Sequence, residues 1–292
     1  MQRVFWRIMQ HMRNASMKKT FNNAIITGGS SGIGLALAKQ LASEGANICL
    51  LARDEEKLAQ TQQEVQSLSI RKCQKVTTLS CDIRDYAALD QALNNWLSDN
   101  EYPDLVINSA GVTYPGYFQD LELSTFRWLM EINYFGTLHV CKYIVPGMID
   151  RGYGTIINIS SQAGFFGIIG YTGYTASKFA VRGFSDALRS ELKPLGVQVS
   201  VVFPPDTETP QLAFEEPLKP FETKEVAGTL HPMSAEDVAS ETLRAARKGK
   251  YLIIPGFGGK FLYKLMGIMG NFTFTVIDWL IQKAKKKMNS KM

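Results

Sequence analysis

The stretch between Thr155 and Phe179 carries side chains that could perform acid–base chemistry. It opens with an apolar run, Thr155–Ile159, which predicts a strand, and it ends with Tyr174 and Lys178 in a helical pattern. Residues four apart share one face of a helix, so we expect the phenol and the ammonium to lie side by side. An ammonium favours the phenolate form of a tyrosine, whose ordinary pKa is about 10. Such a tyrosine can give a proton to a carbonyl oxygen or take one from an alcohol.

Ser161 follows the predicted strand and precedes Tyr174 by thirteen residues, so all three side chains could meet at one cleft. The same pattern also fits an ordinary helix with a buried tyrosine and a lysine whose stem lies along apolar surface. The choice between the two interpretations depends on the elements that would position these residues.

A glycine-rich segment near the start of the chain supports a cofactor site. The short apolar strand Ala24–Thr27 leads into TGGSSGIG at 27–34 and then into a helical pattern over Leu35–Ser43. Glycines permit a sharp turn and let a diphosphate approach the N–H groups at the helix start. The spacing is GxxxGxG rather than GxGxxG, but its place between a first strand and a first helix favours dinucleotide binding. The predicted cofactor contacts here are Gly28, Ser30, Ser31, Gly32, Ile33 and Gly34.

The same segment also spells GGSSG, which matches the GxSxG motif of hydrolases with Ser30 as the nucleophile. That reading requires a later histidine and acid in a particular order. It also requires a nucleophile after the first strand of the chain, where the hydrolase fold has none. We therefore prefer the dinucleotide site.

The second predicted strand, Ala46–Ala52, indicates which dinucleotide binds. An NAD site carries an acid near this strand end to hold a ribose hydroxyl, whereas here Arg53 follows the strand. An arginine suits a 2′-phosphate through paired charge-assisted hydrogen bonds, and Lys57 stands one helical turn further on. Asp54 is better interpreted as the N-cap of a helix over 54–68. The sequence therefore predicts NADP(H) as the cofactor, with Arg53 and Lys57 as contacts.

The ends of later strands add further candidates. Asp82 follows the strand Lys75–Ser80, where it could meet an adenine amino group or cap a helix over Tyr86–Leu97. The strand Asp104–Asn108 leads into a small-residue turn across which a cofactor can lie. After the sixth strand, a proline-rich segment of about 25 residues indicates a lid or binding loop. The cofactor contacts predicted from these segments are Asp82, Asn108, Ala110, Gly111, Pro204, Thr207 and Thr209.

The alternation of strands and helices predicts a single α/β domain, doubly wound and Rossmann-like, with a seven-stranded parallel sheet. The sixth strand, Val197–Phe203, is almost wholly apolar, as in a sheet covered on both faces. A long helical pattern over Leu123–Asp150 carries Asn133, a mediocre helix former, which favours a polar role for that residue. We divide the chain into a basic extension (1–19), an NADP-binding domain (20–255) and an apolar tail (256–292).

Charge and cysteine usage exclude several classes of protein. Residues 1–19 and 282–292 each carry five lysines and arginines and no acid, so the part between them carries −5 within a chain total of +5. Positive charge confined to the ends argues against a nucleic-acid-binding face and favours binding to an anionic membrane surface. The four cysteines lack CxxC spacing and the three histidines lack ligand spacing. We therefore predict a reduced, intracellular protein without a metal site.

The tail mixes aromatic and aliphatic residues with lysines. The apolar run from Leu265 to Ile281 barely reaches the length of a membrane span, and Asp278 interrupts it. Three interpretations stay open: an interfacial helix with a lysine-rich end, a cover for a dimer interface or substrate tunnel, and a membrane span. The extension 1–19 is either an amphipathic surface helix or a frayed terminus.

Taken together, the motifs resemble the short-chain dehydrogenase/reductases over residues 22–254. They are TGGSSGIG at 27–34, NSAG at 108–111, Asn133, Ser161 and YTASK at 174–178. The resemblance implies that Tyr174 is the acid/base and that Lys178 lowers its pKa and holds the nicotinamide ribose. It also implies that Ser161 binds the substrate oxygen and that Asn133 holds a proton-relay water.

Two positions depart from the pattern of that family. Ser109 gives NSAG where the family usually has NNAG, and Pro205 replaces the glycine of its usual Pro-Gly. The second departure points to one branch of the family, because four segments look like the 3-ketodihydrosphingosine reductases. They are LLARDEEKL at 50–58, SSQAG at 160–164, YTASKFAVRG at 174–183 and FPPDTETP at 203–210.

That branch reduces the ketone of a long-chain sphingoid base with NADPH. The resemblance therefore implies sphingolipid biosynthesis, a lipid ketone substrate and a place on the cytoplasmic side of a membrane, the endoplasmic reticulum in a eukaryote or the inner membrane in a bacterium. The alternatives are a reductase of another lipid ketone, such as a 3-ketoacyl or steroid substrate, and an NADP-binding scaffold without turnover. Tyr174, Lys178 and Ser161 together argue against the scaffold. No nucleic-acid partner is expected, and a homo-oligomer stays open.

Overall fold

The structure, a computed structural model, describes residues 20–227 and 231–289; the predicted extension 1–19 lies outside the described residues. Within this part of the chain, seven strands form one parallel sheet in the order β3-β2-β1-β4-β5-β6-β7. The strands are β1 (Asn23–Thr27), β2 (Asn47–Ala52), β3 (Val76–Ser80), β4 (Leu105–Asn108), β5 (Gly154–Ile159), β6 (Val197–Val202) and β7 (Leu252–Ile253). The predicted sheet is confirmed.

Helices cover both faces of the sheet, as the apolar strands require. Consecutive residues of a strand point to opposite faces, so Ile26 packs with Leu37 of α1 while Ile25 packs with Val140 of α5. The helices of the body are α1 (Gly32–Ser43), α2 (Glu55–Gln66), α3 (Tyr86–Asp99), α4 (Leu123–Met130), α5 (Gly136–Arg151), α6 (Thr172–Leu192), α7 (Pro210–Glu215), α8 (Phe221–Ala227) and α9 (Ala235–Arg247).

The strand order reverses between β1 and β4, and a crevice opens there at the carboxyl ends of the strands. The N–H groups of Ser109 and Ala110 both donate to the Thr27 hydroxyl, at 3.1 Å each. Gly28 follows with a φ of +64°, and a Cβ on it would lie 2.8 Å from the Cα of Ala110. The two turns therefore touch through their backbones, which glycine permits and a larger residue does not.

The long helix predicted over Leu123–Asp150 is interrupted. Helix α4 ends at Met130, a π-helical turn covers Glu131–Phe135, and α5 begins at Gly136. Side-chain periodicity does not reveal such a turn, because the turn inserts one residue without changing the apolar character of the pattern. Asn133 lies in this turn and is buried.

The proline-rich segment after β6 is partly helical. Helix α7 begins at Pro210, and the Thr209 hydroxyl caps it by accepting from the N–H of Leu212 at 3.3 Å. Proline fits the first turn of a helix because that position needs no N–H donor. The segment therefore wraps back over the carboxyl edge of the sheet with ordered structure of its own.

The tail forms two helices, α10 (Phe257–Met269) and α11 (Phe272–Asn289), separated by a turn at Gly270. Helix α10 packs onto the body through Tyr263, whose ring centre lies 5.2 Å from that of Phe165. Helix α11 lies against α8, and Lys287 pairs there with Glu225 at 2.6 Å. Across the described residues, no helix has both the length and the apolar content that a membrane span needs.

Gly34 in the first turn of α1 provides a test of this packing. A Cβ on Gly34 would lie 2.4 Å from the carbonyl oxygen of Gly28, so Gly34→Ala must push α1 away from the turn. We expect the free energy of unfolding in urea to fall by about 1–3 kcal/mol.

The control is Gly183→Ala in α6, where a Cβ meets nothing within 4 Å. Alanine is the better helix former, so this variant should keep its stability or gain up to about 1 kcal/mol. Equal losses in the two variants would contradict the steric explanation.

Candidate active site

Tyr174 and Lys178 lie one turn apart on α6, and both are buried. The Nζ of Lys178 lies 5.6 Å from the centre of the Tyr174 ring and donates to the carbonyl oxygen of Ile159 at 3.2 Å. Ile159 is the last residue of β5, so the helix face meets the strand end as the spacing predicted.

Ser161 stands just beyond β5 and begins a 3-10 turn, Gln162–Gly164. Its hydroxyl accepts from the N–H of Ala163 at 3.2 Å and also hydrogen-bonds the phenol of Tyr174, which lowers the pKa of that phenol. Ser161, Tyr174 and Lys178 line one cleft. The structure thus brings together the three side chains that the sequence singled out.

Burial dominates the electrostatics of this group. It raises the pKa of Tyr174 above the ordinary range of a phenol, against the smaller opposing effect of the Ser161 hydroxyl. It also lowers the pKa of Lys178 to about 8, which leaves the amine mostly protonated at neutral pH. Desolvation of the phenol thus has the larger effect in this structure, and the lowering of the Tyr174 pKa by Lys178 stays a prediction. A phenol that keeps its proton is a proton donor, which carbonyl reduction requires.

Asn133 connects α6 to the turn after β4. Its Oδ1 accepts from the N–H of Val112 at 2.8 Å, and its Nδ2 donates to the carbonyl of Val112 at 2.9 Å and to the Ser177 hydroxyl at 2.8 Å. Ser177 immediately precedes Lys178 on α6. The amide therefore positions α6, and the holding of a relay water by Asn133 stays a prediction.

Most of the predicted cofactor contacts line the same cleft. At Gly111 a Cβ would lie 3.2 Å from both Asn133 Oδ1 and Lys178 Nζ, so the glycine allows a ligand to come close to these groups. The predicted cofactor residues in the cleft wall are Gly28, Ser31, Gly32, Ile33, Ala110, Gly111, Tyr174, Lys178, Pro204, Thr207 and Thr209.

Six predicted contacts do not line this cleft: three belong to the glycine turn, α1 and β4, and the other three follow β2 and β3. Gly34 packs against the carbonyl of Gly28, and Ser30 lies within the turn, partly exposed. Asn108 is buried, and its Nδ2 donates to Asn158 Oδ1 at 2.9 Å and to Cys141 Sγ at 3.3 Å. This side chain links β4 to β5 and does not face the cleft. It therefore does not make the cofactor contact that the sequence predicted for Asn108.

Arg53 and Lys57 lie exposed beyond the carboxyl end of β2. The carboxylate of Asp54 accepts from the N–H of Lys57 at 2.9 Å, which confirms Asp54 as the cap of α2. Arg53 therefore stands free of the helix cap, at the strand end where a ribose is expected.

Asp82 is engaged by a residue that the sequence reasoning missed. Arg84 Nε donates to both carboxylate oxygens of Asp82, at 2.9 and 3.1 Å, and this fork lowers the pKa of Asp82. The alternative of Asp82 as a helix cap is wrong, because Asp85 caps α3 by accepting from the N–H of Ala88 at 3.0 Å. The sequence signal for this ion pair was the position of Arg84, two residues after the acid at the strand end.

The sequence patterns also did not predict a second set of residues that line the cleft. They come from the turn before α6 and from the segment around α7, whose fold the sequence did not reveal. They are Tyr171, Asp206, Gln211, Glu215 and Lys219.

Comparison with known proteins shows what this arrangement is similar to. The chain matches the short chain dehydrogenase family over residues 22–217. A 3-ketodihydrosphingosine reductase of Bos taurus is 39% identical over 244 residues, which is 83% of this chain and 74% of the relative. A 3-ketodihydrosphingosine reductase of Dictyostelium discoideum is 33% identical over 93% of this chain and 85% of its own.

Solved structures agree on the fold. A 3-oxoacyl-[acyl-carrier protein] reductase from Brucella melitensis superposes with a TM-score of 0.70 at 25% identity, over 82% of this chain and 91% of the other. A short-chain dehydrogenase from Sphingobium yanoikuyae in complex with NADPH has a TM-score of 0.72 at 24% identity, over 86% and 95% of the two chains. The family match, the identity to these relatives and the doubly wound sheet agree, and the chain belongs to the short-chain dehydrogenase family.

Proposed function

We propose that this chain reduces the ketone of a long-chain 3-keto sphingoid base to an alcohol, with NADPH as the reductant. The observation that carries the proposal is the meeting of Ser161, Tyr174 and Lys178 in one cleft that the glycine turn also lines. The names of the relatives from Bos taurus and Dictyostelium discoideum support this substrate class.

The residues around the cleft fit a phosphorylated dinucleotide. Gly28, Ser31 and Gly32 of the turn line the cleft at the start of α1, where the free N–H groups of a helix N-terminus suit a diphosphate. Arg53 is exposed at the end of β2, at the position where an NAD site carries an acid. Its guanidinium suits the 2′-phosphate of NADPH. When bound, NADPH supplies the hydride for the carbonyl carbon.

The side chains of the cleft then have separate tasks. Ser161 holds the ketone oxygen, and Tyr174 donates its phenolic proton to that oxygen as the carbonyl is reduced. Burial raises the pKa of the phenol, so Tyr174 is protonated before the reaction. The protonated Lys178 stabilises the phenolate that results, because the ammonium lies beside the ring.

Tyr174→Phe tests this assignment. We expect the variant to bind NADPH as the wild type does, by fluorescence titration, and to lose turnover of the lipid ketone by about 10²–10⁴-fold, the usual share of general acid catalysis.

The control is Tyr143→Phe. The hydroxyl of Tyr143 donates to Asn94 at 2.7 Å on α3, away from the cleft, so its loss should leave turnover within a factor of about two. A Tyr174→Phe enzyme within tenfold of the wild type would contradict the role of Tyr174.

We propose further that the tail, residues 256–292, binds an anionic membrane surface and is distinct from the catalytic body, 20–255. On α10 one stripe of apolar side chains at spacings of four, four and three residues is exposed. It consists of Phe257, Phe261, Leu265 and Ile268, and on α11 Phe272, Phe274 and Trp279 are also exposed. A stripe of this kind fits the boundary between headgroups and acyl chains.

Lysines follow this apolar surface at the end of α11. Lys283, Lys285 and Lys286 are exposed, and Lys283 lies over the ring of Trp279 at 5.4 Å. Each such lysine near an anionic surface contributes about 1 kcal/mol. Apolar and basic surface thus adjoin, which favours an anionic membrane as the occupant.

The tail also adjoins the active site. A Cβ on Gly259 of α10 would lie 2.5 Å from the Nε2 of Gln162, the residue after Ser161. An amphiphile that resides in a bilayer would therefore reach the cleft from the side on which α10 lies. For a eukaryotic chain we propose that this membrane is the endoplasmic reticulum, bound at its cytoplasmic face.

Phe261→Glu combined with Ile268→Glu tests the membrane surface. Deleting the tail would uncover Phe165 and Phe203, so point variants are preferable. We expect the full chain to float with vesicles of phosphatidylserine and phosphatidylcholine at low salt, and the double variant to remain largely in the soluble fraction.

Ile70→Glu is the matched control, because Ile70 is 67% exposed but lies before β3, at the amino edge of the sheet. This variant should float as the wild type does, and high salt should weaken the binding of both. If the wild-type chain stays soluble at low salt, or the double variant floats equally, the tail does not bind membranes in this way.

A further inference from the structure

A mixed cluster of charged residues forms the wall of the cleft next to Tyr174. Glu215 ends α7, Lys219 follows one turn later, and Asp206 precedes the helix. All three line the cleft that holds Ser161 and Tyr174. The side chains of Glu215 and Lys219 are buried, at 9% and 6% exposed. The catalytic tasks proposed above use none of them.

The cluster carries excess negative charge among the described residues. Lys219 Nζ lies 2.8 Å from Glu216, 3.5 Å from Asp206 and 3.7 Å from Glu215, so three carboxylates share one ammonium. Asp206 and Glu216 are half exposed and retain much of their hydration, whereas Glu215 does not. The buried carboxylate thus has the longest of the three contacts with the lysine.

The other partners of the Glu215 carboxylate are the neutral hydroxyls of Thr113 and Tyr171, which do not balance its charge. A buried carboxylate is costly unless it is well paired, so Glu215 can accept a further cation.

Glu215 is also close to the reacting group. Its charge is one of the influences, after burial, that raise the pKa values of Tyr171 and Tyr174, whose ring centres are 5.7 Å apart. Burial raises the pKa of Glu215 itself, although Lys219 opposes that shift. A ligand held at Tyr174 would therefore lie within reach of the field of this carboxylate.

We propose that Glu215 binds the ammonium group of the substrate. The proposal rests on the function proposed above, because a 3-keto sphingoid base carries its amine on the carbon next to the ketone. With the ketone oxygen at Ser161 and Tyr174, that ammonium is attached to the neighbouring carbon, and we place it at the acidic wall formed by Asp206 and Glu215 of the same cleft. The charge-assisted hydrogen bond formed there would make Glu215 a determinant of specificity for amino ketones over plain ketones.

A merely structural Glu215, which neutralises Lys219 and supports α7, predicts something different. Its loss would affect every substrate alike, since no substrate group would contact it. The two roles therefore separate when the same variant is tested on ketones with and without the amine.

The experiment compares two ketones, 3-ketodihydrosphingosine and the same molecule with hydrogen in place of the amino group. Both are presented in identical mixed micelles with saturating NADPH, and kcat and KM are measured for the wild type, Glu215→Gln and Glu216→Gln. Glu216 is the matched control, because it contacts Lys219 as Glu215 does but is half exposed and does not line the cleft. Thermal unfolding and NADPH titration establish that each variant is folded.

We expect the wild type to favour the amino ketone by at least about tenfold in kcat/KM. Glu215→Gln should lower kcat/KM for the amino ketone by about 10- to 100-fold, mainly through KM, and change that for the plain ketone less than about threefold. Glu216→Gln should stay within about threefold on both ketones.

A wild type that reduces both ketones equally well would overturn the role of Glu215 while leaving the reductase function intact. This result needs no variant and so does not depend on folding. Equal losses on both ketones in Glu215→Gln, or no loss on either, would also overturn it. A wild type that reduces neither ketone would instead contradict the proposed function itself.

Discussion

The Lys178 ammonium lies in the interior of the cleft, and its burial constrains the residues around it. Desolvation lowers the pKa of the amine to about 8, which is still above neutral pH, so the amine stays mostly charged. A buried charge needs polar atoms close to it. Ile159 supplies a carbonyl oxygen, and the missing side chain of Gly111 leaves a space beside both Asn133 Oδ1 and Lys178 Nζ. The end of β5, the turn after β4 and one face of α6 must therefore meet at one point. The parallel sheet brings them there, because its carboxyl ends share one edge.

The same burial acts on the Tyr174 phenol. Desolvation raises the pKa of the Tyr174 phenol, so the buried side chain holds its proton at neutral pH. The acidic wall formed by Asp206 and Glu215 strengthens this effect, since nearby negative charge disfavours a phenolate. In the proposed reaction this phenol donates its proton to a carbonyl oxygen, and the Lys178 ammonium stabilises the resulting phenolate.

Local patterns predicted the parts of the fold that depend on local chemistry. Apolar runs and glycines identified the strands and the turn at 27–34, and a spacing of four placed Tyr174 and Lys178 on one helix face. The π-helical turn at Glu131–Phe135, the fork between Arg84 and Asp82, and Glu215 were not predicted. Each depends on what the rest of the fold places beside it, and Glu215 comes from a segment whose prolines suggested a loop rather than the start of a helix. The division of the tail at Gly270 escaped detection because the apolar run continues across it.

The transfer of deuterium from the cofactor tests the central claim most directly. Wild-type full chain is incubated in anionic vesicles with 3-ketodihydrosphingosine and NADPH deuterated on either face of the nicotinamide, and the product is analysed by mass spectrometry. The account predicts one deuterium on the carbon that bears the new hydroxyl, from one of the two labelled cofactors, and much less product when NADH replaces NADPH. An absence of alcohol, or an alcohol without deuterium from either cofactor, would contradict it.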